Sequence, residues 1–217
     1  MNKLLVSNII NLDSGIYNLE FNSDKAIINA SGDITIYIIN AKLKELSINL
    51  EDHCNLNIYK FDKLLNDNLN IIINENNDTV IDFNETFIND EDVFLKINNY
   101  IKGNNNESKI NIRNVSNKNY SKIEINVEVL KDTINNIALE DLKGINNGGF
   151  IQIEPNIKCA SNEVSANHLT TIGVLDKDSV SYLMSKGISE KLAEDILLKG
   201  FIFSNMDEYI KKTMGGD

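Results

Sequence analysis

Residues 123–129 read Ile123-Glu124-Ile125-Asn126-Val127-Glu128-Val129, an unbroken alternation of β-branched apolar and polar side chains. Successive side chains of a strand point to opposite faces, so Ile and Val share one face while Glu and Asn share the other. β-Branching suits such a pleated, half-buried surface. The same alternation returns in Ile34-Thr35-Ile36-Tyr37-Ile38, Leu46-Ser47-Ile48-Asn49-Leu50, Leu56-Asn57-Ile58 and Val93-Phe94-Leu95-Lys96-Ile97. Breaks rich in Asn, Asp and Gly separate the runs, as at Asn66-Asp67-Asn68 and Gly103-Asn104-Asn105-Asn106. Short strands at such spacing indicate an all-β sandwich, barrel or solenoid, and spacing alone leaves the three open.

The composition carries the same pattern. The 217 residues hold 36 Asn and 33 Ile against one Arg, one Pro and no Trp, a skew that AT-rich coding alone could produce. Asn tolerates left-handed backbone and bonds its own turn, so it can make the corners a solenoid needs, and stacked Asn can form ladders. Any single Asn is by default a solvated surface position. The net charge of −11 argues against nucleic acid as a partner, since phosphate binding relies on Lys and Arg. No apolar run nears the roughly 18 residues of a membrane span, and the opening MNKLLVSNIINLDSG soon turns polar. The expectation is therefore a cytoplasmic protein with no membrane partner, whose two cysteines, Cys54 and Cys159, are reduced thiols.

Asn all but ends near residue 170, and the periodicity becomes helical after residue 175. The division predicts a β core over 1–175 and a helical segment over 176–217. Asp176 is the N-cap of a first helix carrying Val180, Leu183 and Met184, stopped at Gly187. Ser189 opens a second helix with Leu192, Ala193, Ile196 and Leu197 on its face, ending at Gly200. Ser204 with Asp207 starts a third, Met206 to Met214. Such stripes pack on the β core by default, and part of this surface could instead meet a partner.

No phosphate-cradling glycine loop, nucleophile elbow, His-Glu-x-x-His or Cys-x-x-Cys is present, so no standard active site is built. Adjacent His53 and Cys54 point to opposite faces if their segment is a strand, so they cannot readily grip one metal together and read as structural. Asp90-Glu91-Asp92 reads as a charged turn. Cys159 and His168 lie in the final β stretch, Phe150 to Leu175, and offer soft and borderline ligands of the kind iron, zinc and iron–sulfur centres take. Two residues cannot complete a tetrahedral site, so a metal there would need ligands from another chain or a substrate.

The stretch Pro155-Asn156-Ile157, Asn162-Glu163-Val164, then Asn167-His168-Leu169-Thr170-Thr171-Ile172-Gly173-Val174-Leu175-Asp176 runs on without a gap. It continues through Tyr182-Leu183-Met184-Ser185-Lys186-Gly187-Ile188 to Ala193, Leu197 and Gly200-Phe201. This order and spacing resemble the C-terminal signature of the SufB/SufD family, scaffold proteins of the SUF iron–sulfur assembly system. The resemblance implies a mainly β fold, a right-handed parallel β-helix with a short C-terminal helical segment. It implies pairing through the end of the β-helix, as a homodimer or as a heterodimer with a SufB/SufD-like chain. It also implies docking of a SufC-like ABC ATPase on the helices, near Tyr182, Leu183, Lys186, Gly187 and Ile188.

His168 falls on the family's interface histidine, and Asn162-Glu163 on its Asp-Asp step. The departures are specific. Leu169 stands where the family has Gly or an acid, and Ala166 where SufD proteins can have Cys. Gly149 lies where SufB proteins place an interface Cys, and Cys159 is off the family ligand positions. Ser181 replaces a Phe and Lys186 an Arg, which loses a planar fork of donors. The expectation is a non-enzymatic scaffold with a transient iron–sulfur cluster, His168 as candidate ligand and Cys159 and Glu163 as weaker ones. One rival is a degenerate ATPase-binding module with no cluster site of its own. Another, ranked lower, is an intracellular β-helix carbohydrate-active protein.

Overall fold

The computed structural model describes residues 2–65 and 67–215, and Asn66 of the expected Asn66-Asp67-Asn68 break lies outside them. Among the described residues fifteen strands form two all-parallel sheets. The eight-stranded sheet stacks β1 (Asn2–Val6), β3 (Gly15–Phe21), β5 (Asp33–Ile39), β7 (Asn55–Asp62), β9 (Val80–Asn89), β11 (Glu107–Ser116), β13 (Asn136–Asn146) and β15 (Val164–Gly173) in that order. The seven-stranded sheet stacks β2 (Ile9–Leu12), β4 (Lys25–Ala30), β6 (Glu45–Leu50), β8 (Leu69–Glu75), β10 (Val93–Ile101), β12 (Tyr120–Val129) and β14 (Phe150–Cys159). Odd and even strands alternate between sheets, so the chain coils and each strand pairs with the one a coil earlier. That is a β-solenoid, one of the architectures the alternation left open.

The alternating residues fill the lumen in columns. Ile36, Ile58, Phe83 and Ile110 are register neighbours on successive coils and are fully buried. Each fully buried apolar side chain of this size contributes roughly 1.5–3 kcal/mol.

Outside, asparagines stack in register. Asn29 donates to Asn11, Asn49 to Asn29 and Asn74 to Asn49, each at 2.8 Å. A second run links Asn70, Asn98, Asn126 and Asn156. Asn40, Asn105 and Asn135 take positive φ, so asparagine does serve at corners, along with His53, Asp78, Lys118 and Asp132. Cys54 is buried in the core, as expected of a structural residue, and burial pushes its thiol up to about 11. The expected charged turn at 90–92 joins β9 to β10, and Asp92 accepts the backbone N–H of Tyr120 at 2.8 Å.

Three helices follow: α1 (Lys177–Ser185), α2 (Glu190–Ile202) and α3 (Glu208–Met214). Asp176 caps α1, accepting from the N–H groups of Asp178 and Ser179, and Gly187 at φ 87° ends it. Two expected boundaries shift. The second helix runs through Gly200 to Ile202, because Phe201, Ile202 and Phe203 pack on the sheet. The third begins after Asp207, which caps it, while Ser204 bonds to Arg113 instead. The end of α2 and all of α3 lie on the outer face of the eight-stranded sheet. There Phe203, Met206 and Ile210 meet Tyr37, Phe61 and Val115.

Candidate functional site

β14 and β15 are the last strands of their sheets, so the lumen opens at this end. β15 is exposed along all but its first residue, whereas the inner face of β13, one coil back, is buried. Register assigns the inner faces of this coil. Val164, Ala166, His168, Thr170 and Ile172 continue the columns of Asn136, Ala138, Glu140, Leu142 and Gly144. On the opposite wall, Ile151, Ile153, Pro155, Ile157 and Cys159 continue those of Ser121, Ile123, Ile125, Val127 and Val129.

His168 and Cys159, both singled out from the sequence, therefore face the open lumen, and both are exposed. They do not converge. Cys159 is the last residue of β14, while His168 is the fifth of β15 in the other sheet. Glu163 lies in the exposed turn between them, its backbone N–H donating to Ser161 Oγ at 3.1 Å. Among the described residues no group of three or more His, Cys, Asp or Glu could hold a metal ion. The donor chemistry suits iron, but one solenoid end supplies too few donors in one place.

Sequence reasoning missed Glu140. It is 3% exposed and follows Ile110 in the inner-face column, directly beneath His168. Among the described residues neither carboxylate oxygen has a hydrogen-bond partner, and burial pushes its pKa up to about 7. The signal was an acid in the apolar phase of Ala138-Leu139-Glu140-Asp141-Leu142, legible only once β13 is recognised as a strand. The departures noted at Gly149 and Ala166 also have a physical account. A Cβ on Gly149 would stand 2.2 Å from Ser116 Oγ and 2.5 Å from the Asn119 carbonyl, so the position has no room for a thiol. Ala166 shares the inner face with His168 but brings no donor.

Next to this end, α1 and α2 pack on each other through Val180 and Ala193, which are buried. Stripes expected to face the β core are partly bare. Of their residues Leu192 is 52% exposed, Met184 44% and Ile196 42%, and Tyr182, outside the stripes, is 63% exposed. The sheet is instead covered by the aromatic-rich residues from Leu198 onward, which leave the first part of the hairpin standing off. A cleft of about 570 Å³ separates it from the turn at Asn146-Asn147-Gly148. Of the expected partner residues, Tyr182, Lys186 and Gly187 are exposed, while Leu183 and Ile188 are half-buried. The Lys186 ammonium sits 5.3 Å from the centre of the Tyr182 ring, a cation–π contact.

Residues 145–201 match the family described as SUF system FeS cluster assembly, SufBD core domain. The match begins at the end of β13 and takes in the open last coil, α1 and nearly all of α2. No curated protein matches the chain.

Proposed function

We propose, from the similarity of residues 145–201 to the SufBD core domain, that the chain is a SufB/SufD-family member acting as a cytoplasmic, non-enzymatic scaffold subunit docking on a SufC-like ABC ATPase. The match of residues 145–201 to the SufBD core domain supports a role in SUF iron–sulfur cluster assembly. The observation that carries the finer reading is where that segment sits. It contains the one solenoid end that bears His168 and Cys159, together with the helical hairpin whose apolar side chains are exposed.

The edge strands β14 and β15 present unpaired backbone groups, a ready template for a second chain. A two-fold pair joined there presents two His168 imidazoles and two Cys159 thiols around the axis, which answers the shortage of donors in one chain. Imidazole and thiolate are the ligands that iron and iron–sulfur centres accept. The cluster is cargo, held transiently and passed on. Tyr182, Met184, Leu192 and Ile196 supply the apolar contact for the ATPase, with Lys186 at its edge. ATP-driven closure of two such ATPases would move the paired scaffolds and open their interface.

The closed site at Gly149 and the absence of a three-donor group among the described residues favour one rival, a partner module that holds the ATPase while another chain supplies the ligands. Copurification with the ATPase followed by anaerobic reconstitution with iron and sulfide separates the two. A cluster spectrum that His168→Ala and Cys159→Ala abolish supports the scaffold. ATPase binding with an unchanged spectrum in both variants supports the module.

A further inference from the structure

We infer that Glu140 is a positioning residue for His168, its carboxylate accepting one ring N–H so that the other ring nitrogen points out of the open lumen. The inference rests on reading His168 as an iron ligand and adds to it a residue that the sequence did not single out. From Ile36 onward the inner-face column runs through Ile58, Phe83 and Ile110, all apolar, and then turns polar at Glu140 and His168. On its own sheet, the inner-face neighbours of Glu140 are Ile110, Ala138, Leu142 and His168. The first three are apolar, so among these four only His168 can donate to it.

A buried carboxylate with both oxygens unpartnered is costly to keep, and such groups call for a specific explanation. Adjacent strands lie about 4.8 Å apart, within reach of a glutamate and an imidazole on the same face. The exposed imidazole is free to turn toward it. Metal-bound histidines almost always donate the second ring N–H to a carboxylate, carbonyl or water, which fixes the tautomer and raises the basicity of the ligating nitrogen.

The test uses the full chain, with ¹⁵N-histidine spectra of the apo protein at pH 8 and anaerobic Fe(II) titration of the ATPase complex. Glu140→Met fills the same space without an acceptor, and Glu140→Gln keeps a carbonyl that can accept. His53, exposed in a turn, is the internal reference. The wild type and Glu140→Gln should show one His168 tautomer, and Glu140→Met a mixture. Fe(II) affinity should fall about 10- to 100-fold in Glu140→Met and remain within about threefold in Glu140→Gln. Identical His168 nitrogen shifts in wild type and Glu140→Met overturn the pairing, and unchanged melting temperatures confirm that the comparison is between folded proteins. A fixed tautomer in a wild type that binds no iron supports the pairing and overturns the reading of His168 as a ligand.

Discussion

Arg113, the single arginine of the chain, donates its Nε to the Ser204 hydroxyl at 3.0 Å, joining β11 to the turn between α2 and α3 across 91 residues. Its Nη2 lies 2.5 Å from Asp141 Oδ2. The next residue, Asn205, accepts from Thr86 Oγ1 at 2.8 Å and donates to the carbonyls of Glu85 and Asn111. The helical segment is therefore pinned at its elbow, and the α1–α2 hairpin is left available. Replacing Arg113 with Met breaks a mostly buried charge pair and should cost about 2–3 kcal/mol. Chemical denaturation measures the loss, and limited proteolysis should cut the segment after Leu198 faster than in the wild type.

The asparagine ladder predicts a graded effect. Asn49 both donates to Asn29 and accepts from Asn74, whereas Asn11 at the end only accepts. With about 1 kcal/mol net per hydrogen bond, Asn49→Ala should cost about twice as much as Asn11→Ala. Equal losses in denaturant melts would show that the ladder is merely a solvated row.

Glu75 gives the solenoid a pH dependence. Its carboxylate is fully buried, accepts from Asn99 at 2.7 Å and from Thr79 at 3.3 Å, and burial outweighs these bonds to push its pKa up to about 7. Because the folded value lies above the unfolded one, its contribution is fully present below about pH 4.3 and lost as the pH rises through about 7. Glu75→Gln removes that dependence. Its stability relative to wild type should rise between about pH 4.3 and 7 and then level off, by on the order of 3 kcal/mol in all. Melts at pH 5 and pH 8 test the sign.

The hairpin surface predicts a separation of stability from binding. Tyr182→Ser and Leu192→Ser alter exposed side chains and should change stability by less than about 0.5 kcal/mol. The same changes should abolish copurification of a SufC-like ATPase. Retained binding in the double variant would place the ATPase elsewhere.

The alternation over 123–129 revealed strands because the solvent face and the lumen differ in polarity at every second residue. It did not reveal the coil period, because the coil widens along the chain. Ladder partners are 18 residues apart at Asn11 and Asn29, 25 at Asn49 and Asn74, and 30 at Asn126 and Asn156. Without a fixed period there was no register, so Glu140 could not be placed beneath His168. Buried polar groups hid other strands. β7 continues past Ile58 through Lys60 and Asp62, which face the lumen and join Glu85 in an ion cluster. Burial alone would lower the Lys60 pKa, but its two carboxylate partners outweigh that and push it up. His168 and the hairpin were legible because their spacing is local, whereas bareness of the hairpin depends on where the anchoring residues from Leu198 onward land.

The most direct test is the iron and sulfide content of the chain copurified with a SufC-like ATPase after anaerobic reconstitution, in wild type and His168→Ala. The scaffold account predicts bound iron and sulfide with cluster absorbance in the wild type and loss of both in His168→Ala, with the ATPase still attached. Equal iron, sulfide and absorbance in the two proteins would contradict it.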